Sequence, residues 1–210
     1  MSAAILAGGA SSRMGRDKAL IPLPPDGIPM IQVVLDKIRE LADDVLFVAN
    51  DDRLAQFGVR TVADSFPGRG TLGGIHAALV GAKHDFCLVV ACDMPFLNLR
   101  LLKHMSRMER TYDVLIPITA GSSKQGTDGV IFQTLHAIYA SSCLPAIEKQ
   151  LAAGDNRIIR FFDDVVVKTI GEDECRAWDP ELRSFLNLNT PDSLMTAMAA
   201  VGTAEPGKSA

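Results

Sequence analysis

The chain has 210 residues, with 21 basic and 25 acidic side chains and a formal net charge of −4. This slight acidic excess, without a block of basic residues, argues against a protein that binds nucleic acid or an anionic membrane surface. The 48% hydrophobic content is enough for a substantial core. We predict one domain over residues 1–201 and a disordered tail over residues 202–210. The N-terminus lacks the features of a signal peptide, so we expect a cytoplasmic protein with reduced cysteines.

Short apolar runs alternate with segments of helical periodicity along the chain. The predicted strands cover residues 2–6, 45–49, 59–63, 86–91, 114–118, 165–170 and 184–188. The predicted helices cover residues 30–41, 72–82, a segment capped by Asn98, and a segment from Ser141 or Ser142 to Gly154. This βα alternation predicts a doubly wound, mostly parallel sheet with its ligand beyond the carboxyl ends of the strands.

A glycine-rich segment follows the first strand and reads LAGGASSRMGRDK. Gly8 and Gly9 leave room for backbone N–H groups to approach an anion, and Arg13 and Lys18 add two positive charges. The spacing does not fit a P-loop. We interpret the segment as a candidate triphosphate cradle, and a purely structural glycine turn is the alternative.

A second glycine-rich segment, GRGTLG over residues 68–73, matches the dinucleotide-binding pattern G-x-G-x-x-G, with Asp93 about 20 residues further on. The pattern requires that a strand lead directly into the first glycine, whereas Asp64 to Pro67 intervene here. NAD binding therefore stays a minor alternative. The main prediction is a glycine-rich turn into a helix that lines the same cleft.

Polar residues follow three predicted strands, namely Asn50, Asp64 and Asp93. Asp93 is suited to Mg²⁺, which proteins commonly hold through one or two carboxylates together with water and substrate phosphates. A turn-capping role for Asp93 is the alternative. Asn187 and Asn189 alternate along the last predicted strand, so both would point to the same face. Asn189 is a candidate for the metal shell, although an Asn before a helix cap is a common structural device.

The glycine-rich segment, together with ADSFPGRGTLGGI, CDMPFL and FLNLNTPDSL, resembles the nucleotidyltransferase family that includes the molybdenum cofactor guanylyltransferases. The motifs occur in the family's order and span nearly the whole chain up to about residue 195. TLHAIYASSCLPAIEKQLAAGDNR is similar to the family's substrate-side segment, although Thr134 stands where Pro is frequent. The resemblance implies a Rossmann-like α/β/α fold.

The resemblance also implies roles for individual residues. Those on the nucleotide side would be Leu6, Ala7, Gly8, Gly9, Lys18, Asn50, Asp64 and Asp93. Val48 stands where the family has an Asn that contacts the nucleotide, and Asn50 is a possible substitute. Arg13, Lys18 and Asp93 would carry catalysis, Asp93 and Asn189 would hold the metal, and His136 and Asn187 would face the acceptor.

The activity implied by the resemblance is transfer of GMP from GTP to the phosphate of molybdopterin, with release of pyrophosphate and with Mg²⁺ as cofactor. Gly9 favours GTP, since cytidine-transferring relatives tend to read LAAG. Upstream cofactor-biosynthesis proteins are candidate partners that would hand over the acceptor. Two alternatives stay open: a related transferase with another nucleotide or acceptor, and a nonenzymatic nucleotide sensor.

Overall fold

The computed structural model describes residues 1–8, 18–121 and 129–188. Gly9, Arg13 and Asn189 lie outside these ranges, as do residues 122–128 and the predicted tail. Predictions for those residues are neither confirmed nor corrected by the structure. Among the residues that it describes, no helix is long and apolar enough to cross a membrane.

The elements follow one another largely as predicted. The strands are β1 (Ser2–Leu6), β2 (Pro22–Leu23), β3 (Ile28–Pro29), β4 (Asp44–Val48), β5 (Arg60–Val62), β6 (Phe86–Ala91), β7 (Val114–Ala120), β8 (Val130–Phe132), β9 (His136–Ala140) and β10 (Val167–Ile170). The α-helices are α1 (Met30–Arg39), α2 (Gly70–Gly81), α3 (Leu99–Arg107), α4 (Leu144–Ala152) and α5 (Glu172–Trp178). The predicted cap of α3 is confirmed, because the Asn98 side chain accepts hydrogen bonds from the amides of Arg100 and Leu101.

The main sheet has the strand order β10-β7-β9-β6-β1-β4-β5, with β8 paired to β7. β1 is parallel to both β4 and β6, and β10 is parallel to β7. β9 is antiparallel to both of its neighbours, β6 and β7. The sheet is therefore mixed with mostly parallel strands, as the predicted fold class requires.

Two apolar cores cover the two faces of the sheet. Alternate residues of β6 point to opposite faces, with Leu88 and Val90 in one core and Cys87 and Val89 in the other. Helices α1, α3 and α5 contribute to the first core, and α2 and α4 to the second. Strand β6 is thus buried on both sides by helices, and the three-layer Rossmann-like arrangement is confirmed.

The structure differs from the prediction at several elements. Residues 184–188 form no strand, because the chain makes a 3-10 turn over Arg183–Phe185 and continues irregularly to Leu188. The elements that the sequence does not predict are the strands β2, β3, β8 and β9 and the helix α5. The sequence of β9, HAIYA, is too short for its periodicity to separate a buried strand from a buried helix.

Candidate active site

A cleft of about 740 Å³ opens at the carboxyl ends of β1, β4, β5 and β6. These strands deliver four of the predicted site residues to it, namely Gly8, Asn50, Asp64 and Asp93. Lys18, at the start of a 3-10 turn over Lys18–Leu20, also lines the cleft. The structure therefore brings together polar residues that are far apart in the sequence, at the sheet edge where the strand order predicts a ligand.

The floor of the cleft is formed by hydrogen bonds that extend the strand pairing past the strand ends. The amides of Ala7 and Gly8 both donate to the carbonyl oxygen of Val48, at 3.0 Å each. The amide of Cys92 donates to the carbonyl oxygen of Leu6 at 3.1 Å. Since the Ala7 and Gly8 amides already have an acceptor, they are not the donors expected of a phosphate cradle. Leu6, Ala7 and Gly8 line the cleft as its floor.

Arg53 is a cleft residue that the sequence analysis missed. It lies in the 3-10 turn Asp52–Phe57 after β4, and its Nη2 donates to the carbonyl oxygen of Ala7 at 2.6 Å. The side chain is half-buried, with 28% of its surface exposed. This contact joins the end of β4 to the end of β1. The only sequence signal is an arginine shortly after the strand that precedes Asn50, and that signal is weak.

Asn50 and Asp64 both line the cleft and are linked by a hydrogen bond. The side-chain oxygen of Asn50 accepts a hydrogen bond from the Asp64 amide at 2.8 Å. The Asp64 carboxylate in turn accepts from the amide of Phe66 at 2.8 Å. Asp64 also faces the first turns of α2, because a Cβ atom at Gly73 would lie 2.9 Å from both carboxylate oxygens. The carboxylate is therefore held between its own loop and a helix residue without a side chain.

The second glycine-rich segment enters α2 at Gly70 and lines the cleft through Gly68, Gly70 and Thr71. Gly68 and Gly70 have φ angles of 84° and 62°, a left-handed conformation that favours glycine. Residues 63–67 separate β5 from Gly68, so the immediate strand-to-helix turn of a dinucleotide site is absent from this described segment. The main prediction for this segment, a glycine-rich turn that lines the cleft, is confirmed.

Asp93 and Lys18 are two of the charged residues that line the cleft. Burial raises the pKa of the Asp93 carboxyl, and the positive charge of Lys18 opposes part of that increase. A half-buried carboxylate of this kind is stabilised by a cation. Among the described residues, no group of three or more His, Cys, Asp or Glu side chains could hold a metal ion alone. Asp93 thus fits the arrangement in which one carboxylate binds Mg²⁺ together with water and nucleotide phosphates.

His136 is not placed as the substrate-side prediction requires. The ring is fully buried in β9 and packs against Phe185, with ring centroids 5.0 Å apart. Burial lowers its pKa to about 4, although the charge of Asp179 acts in the opposite direction. Because the ring has no exposed surface, direct contact with an acceptor is excluded for this conformation. Strand β9, which sets the inward orientation of its first residue, is not predicted from the sequence.

Asn187 is exposed and lies in the irregular segment after Phe185, so the predicted strand geometry for this side chain is wrong. The segment nevertheless reaches the cleft. The amide of Leu188 donates to the carbonyl oxygen of Asp93 at 2.9 Å. Asn187 therefore precedes a residue that is bonded directly to the backbone of Asp93.

The MobA-like NTP transferase domain family matches residues 3–168, which is more than half of the chain. The chain belongs to this family. It is 39% identical over 201 residues to the molybdenum cofactor guanylyltransferase of Desulfosudis oleivorans, with 94% of each chain covered. It is 36% identical over 205 residues to the probable molybdenum cofactor guanylyltransferase of Pelotomaculum thermopropionicum, covering 97% of this chain and 95% of the relative.

Solved structures agree with the family assignment. The crystal structure of molybdopterin-guanine dinucleotide biosynthesis protein A from Archaeoglobus fulgidus has a TM-score of 0.78 and 29% identity, covering 97% of this chain and all of the other. The 4-diphosphocytidyl-2C-methyl-D-erythritol synthase of Anaerococcus prevotii, at 17% identity and a TM-score of 0.70, shares the fold. The fold of this family is thus shared with proteins of other names, so the fold alone does not identify the nucleotide.

Proposed function

We propose that this protein transfers the guanylyl group of GTP to the phosphate of molybdopterin and releases pyrophosphate. The observation that carries the proposal is that Lys18 and Asp93, an opposed cation and carboxylate, line one cleft at the carboxyl ends of the central strands. The names of the relatives, which cover nearly the whole chain, support guanine as the base and molybdopterin as the acceptor.

The reaction requires that two anions meet. An oxygen of the acceptor phosphate forms a bond to the α-phosphorus of GTP. The bond from the α-phosphorus to the oxygen that bridges to the β-phosphate breaks, and that oxygen leaves with its electron pair as pyrophosphate. Catalysis of such a step depends on positioning and on charge neutralisation, so a protein nucleophile is not needed.

Different residues of the cleft would have different roles in this reaction. The Lys18 ammonium would neutralise charge on the departing pyrophosphate, and Arg13 is proposed to assist it. Asp93 would hold Mg²⁺, with Asn189 as a proposed second ligand. When bound, the metal supplies positive charge to the phosphate oxygens. Asp64 and Asn50 would shape the nucleotide side of the cleft. The hydrogen bond from the Asp64 amide to the Asn50 side-chain oxygen fixes these two residues relative to each other.

The decisive experiment incubates the purified protein with molybdopterin, Mg²⁺ and one nucleoside triphosphate, and measures both pyrophosphate and the dinucleotide product by mass spectrometry. GTP, CTP and ATP are tested separately. We expect pyrophosphate and molybdopterin guanine dinucleotide with GTP only.

Each other outcome has a defined meaning. Turnover with CTP would overturn the guanine assignment, which in the sequence depends on Gly9. Nucleotide binding without pyrophosphate would indicate a sensor and would overturn the enzymatic proposal.

A further inference from the structure

The loop that carries Asp93 is buried along much of its length. Residues 93–97 connect β6 to the cap of α3, and Pro95 and Leu97 are among its buried residues. A buried carbonyl oxygen needs a hydrogen-bond donor, because leaving it unpaired costs the desolvation free energy of that group. Among the described strands, no pairing of the sheet includes the carbonyl groups of Pro95 and Leu97.

Lys37 supplies both donors from the neighbouring helix α1. Its Nζ donates to the carbonyl oxygen of Pro95 at 2.7 Å and to that of Leu97 at 3.0 Å. The lysine lies next to Ile38, a fully buried residue of the same helix, and burial lowers the pKa of the ammonium. A lysine that is desolvated and bonded to two backbone carbonyls differs from the usual solvated lysine of a helix surface.

The loop is also held by the C-terminal segment. The Asn98 amide donates to Ser184 Oγ at 2.8 Å, and the Asn98 side-chain amide donates to the carbonyl oxygen of Trp178 at 3.1 Å. The bond from the Leu188 amide to the Asp93 carbonyl holds the beginning of the loop. The loop is therefore fixed at its start, middle and end by bonds from two separate parts of the chain.

We propose that Lys37 is a positioning residue for nucleotidyl transfer, holding the loop of residues 93–97 so that the Asp93 carboxylate is kept in the cleft. It contacts the backbone of the loop and not the reacting atoms. The proposal rests on the proposed function in one respect, namely that Asp93 binds a divalent cation. Groups that orient metal ligands from outside the coordination sphere typically contribute 10 to 100-fold to metal affinity.

The test measures Mn²⁺ binding to the whole protein in the presence of a non-hydrolysable GTP analogue, using the electron paramagnetic resonance signal of free Mn²⁺. Lys37→Met keeps most of the side-chain volume and removes the donor. We expect it to weaken Mn²⁺ binding by about tenfold, the lower end of the range for such positioning contacts. Lys37→Arg keeps a charged donor and should restore part of the affinity.

Two further variants separate positioning from general stability. Ile38→Val removes one buried methylene from the same helix and should lower the thermal stability of the protein without altering Mn²⁺ binding. Ser184→Ala removes the acceptor of the Asn98 amide, loosens the C-terminal end of the loop, and should weaken Mn²⁺ binding as Lys37→Met does. This variant also tests the role of the loop if Lys37→Met does not fold.

Asp93→Asn is measured in the same assay to separate the two proposals. If Asp93→Asn loses Mn²⁺ binding and the loop variants keep wild-type affinity, positioning by Lys37 is wrong and the metal role of Asp93 stands. If Asp93→Asn binds Mn²⁺ normally, the proposed metal role itself fails, and the positioning proposal fails with it. An equal loss in Ile38→Val would assign the effect to stability and would also overturn positioning.

Discussion

The carboxylate of Asp64 occupies space that a side chain at position 73 would need, since both of its oxygens lie 2.9 Å from an ideal Cβ on Gly73. The carbonyl oxygen of Phe66 is 3.1 Å from the same point. Gly73 is inside α2, where alanine would ordinarily be favoured by about 1 kcal/mol. The glycine is therefore explained by the neighbouring carboxylate and not by the helix.

We expect Gly73→Ala to displace the Asp64 carboxylate, because the end of a side chain moves more easily than a helix backbone. Affinity for GTP should fall by about tenfold, equivalent to about 1.4 kcal/mol. Isothermal titration with GTP measures this loss. If displacement of Asp64 is the cause, Gly73→Ala should have a much smaller effect in an Asp64→Ala background. Additive losses would contradict the explanation.

Lys18→Ala should lower turnover by about 10² to 10³-fold, by analogy with the loss of one preorganised electrostatic donor. The expected cause is uncompensated charge on the departing pyrophosphate. Steady-state pyrophosphate release under saturating GTP measures it. Lys83→Ala is the matched control, because Lys83 is 71% exposed and lies near Asp44 at the other end of the sheet. Wild-type turnover in Lys18→Ala would refute the assigned role.

Asp93→Asn should abolish metal-dependent turnover while leaving the metal-free protein as stable as the wild type or more so. Burial raises the pKa of the folded carboxyl above its ordinary value, so the unfolded chain gives up this proton at lower pH than the folded protein does. The free energy of unfolding therefore decreases as the pH rises from the unfolded to the folded pKa of Asp93. The uncharged amide of Asn does not ionise, so the variant avoids this decrease. Thermal unfolding at pH 7 without metal gives the comparison. A markedly lower melting temperature would mean that the carboxylate is structural.

The pKa of His136 predicts a loss of stability in mild acid. The unfolded chain binds a proton near the ordinary value of 6.5, whereas the buried ring does so only near 4. Between these values the unfolded state holds more protons, so stability falls as the pH decreases, on the order of 1 kcal/mol per pH unit. Urea unfolding of the wild type and of His136→Leu, from pH 7 to pH 4, should show a shallower pH dependence in the variant. Parallel pH profiles would contradict this explanation.

The strands and helices that position the cleft follow from local patterns in the sequence. The run Phe86–Ala91 is apolar on both faces and bounded by polar residues, so its central place in the sheet could be predicted. The position of the polar residues at the strand ends could be predicted as well, because parallel strands place their carboxyl ends at one edge of the sheet. The sequence therefore predicts that Asp64 and Asp93 lie at one cleft.

The remaining features depend on contacts between distant residues. The inward orientation of His136 follows from the pairing of β9 between β6 and β7, which no local period encodes. The bond from Arg53 to the Ala7 carbonyl spans 46 positions. In the sequence, Lys37 cannot be distinguished from a solvated lysine on a helix surface. Only its contact with the loop after Asp93 shows that its ammonium donates to a backbone carbonyl inside the protein.

Strand β9 also has a consequence for folding. It separates the strand order into β6-β1-β4-β5, built from residues 2–91, and β7 with its partners β8 and β10, built from residues 114–170. Among the described strands the two groups share no direct pairing, so the insertion of β9 joins them into one sheet. Weakening β9 should therefore uncouple the two groups, because each keeps its own strand pairs without it. Destabilised β9 variants would then unfold in two separable steps, with the strands beneath Asp93 and Asp64 protected from hydrogen exchange after the C-terminal strands have opened.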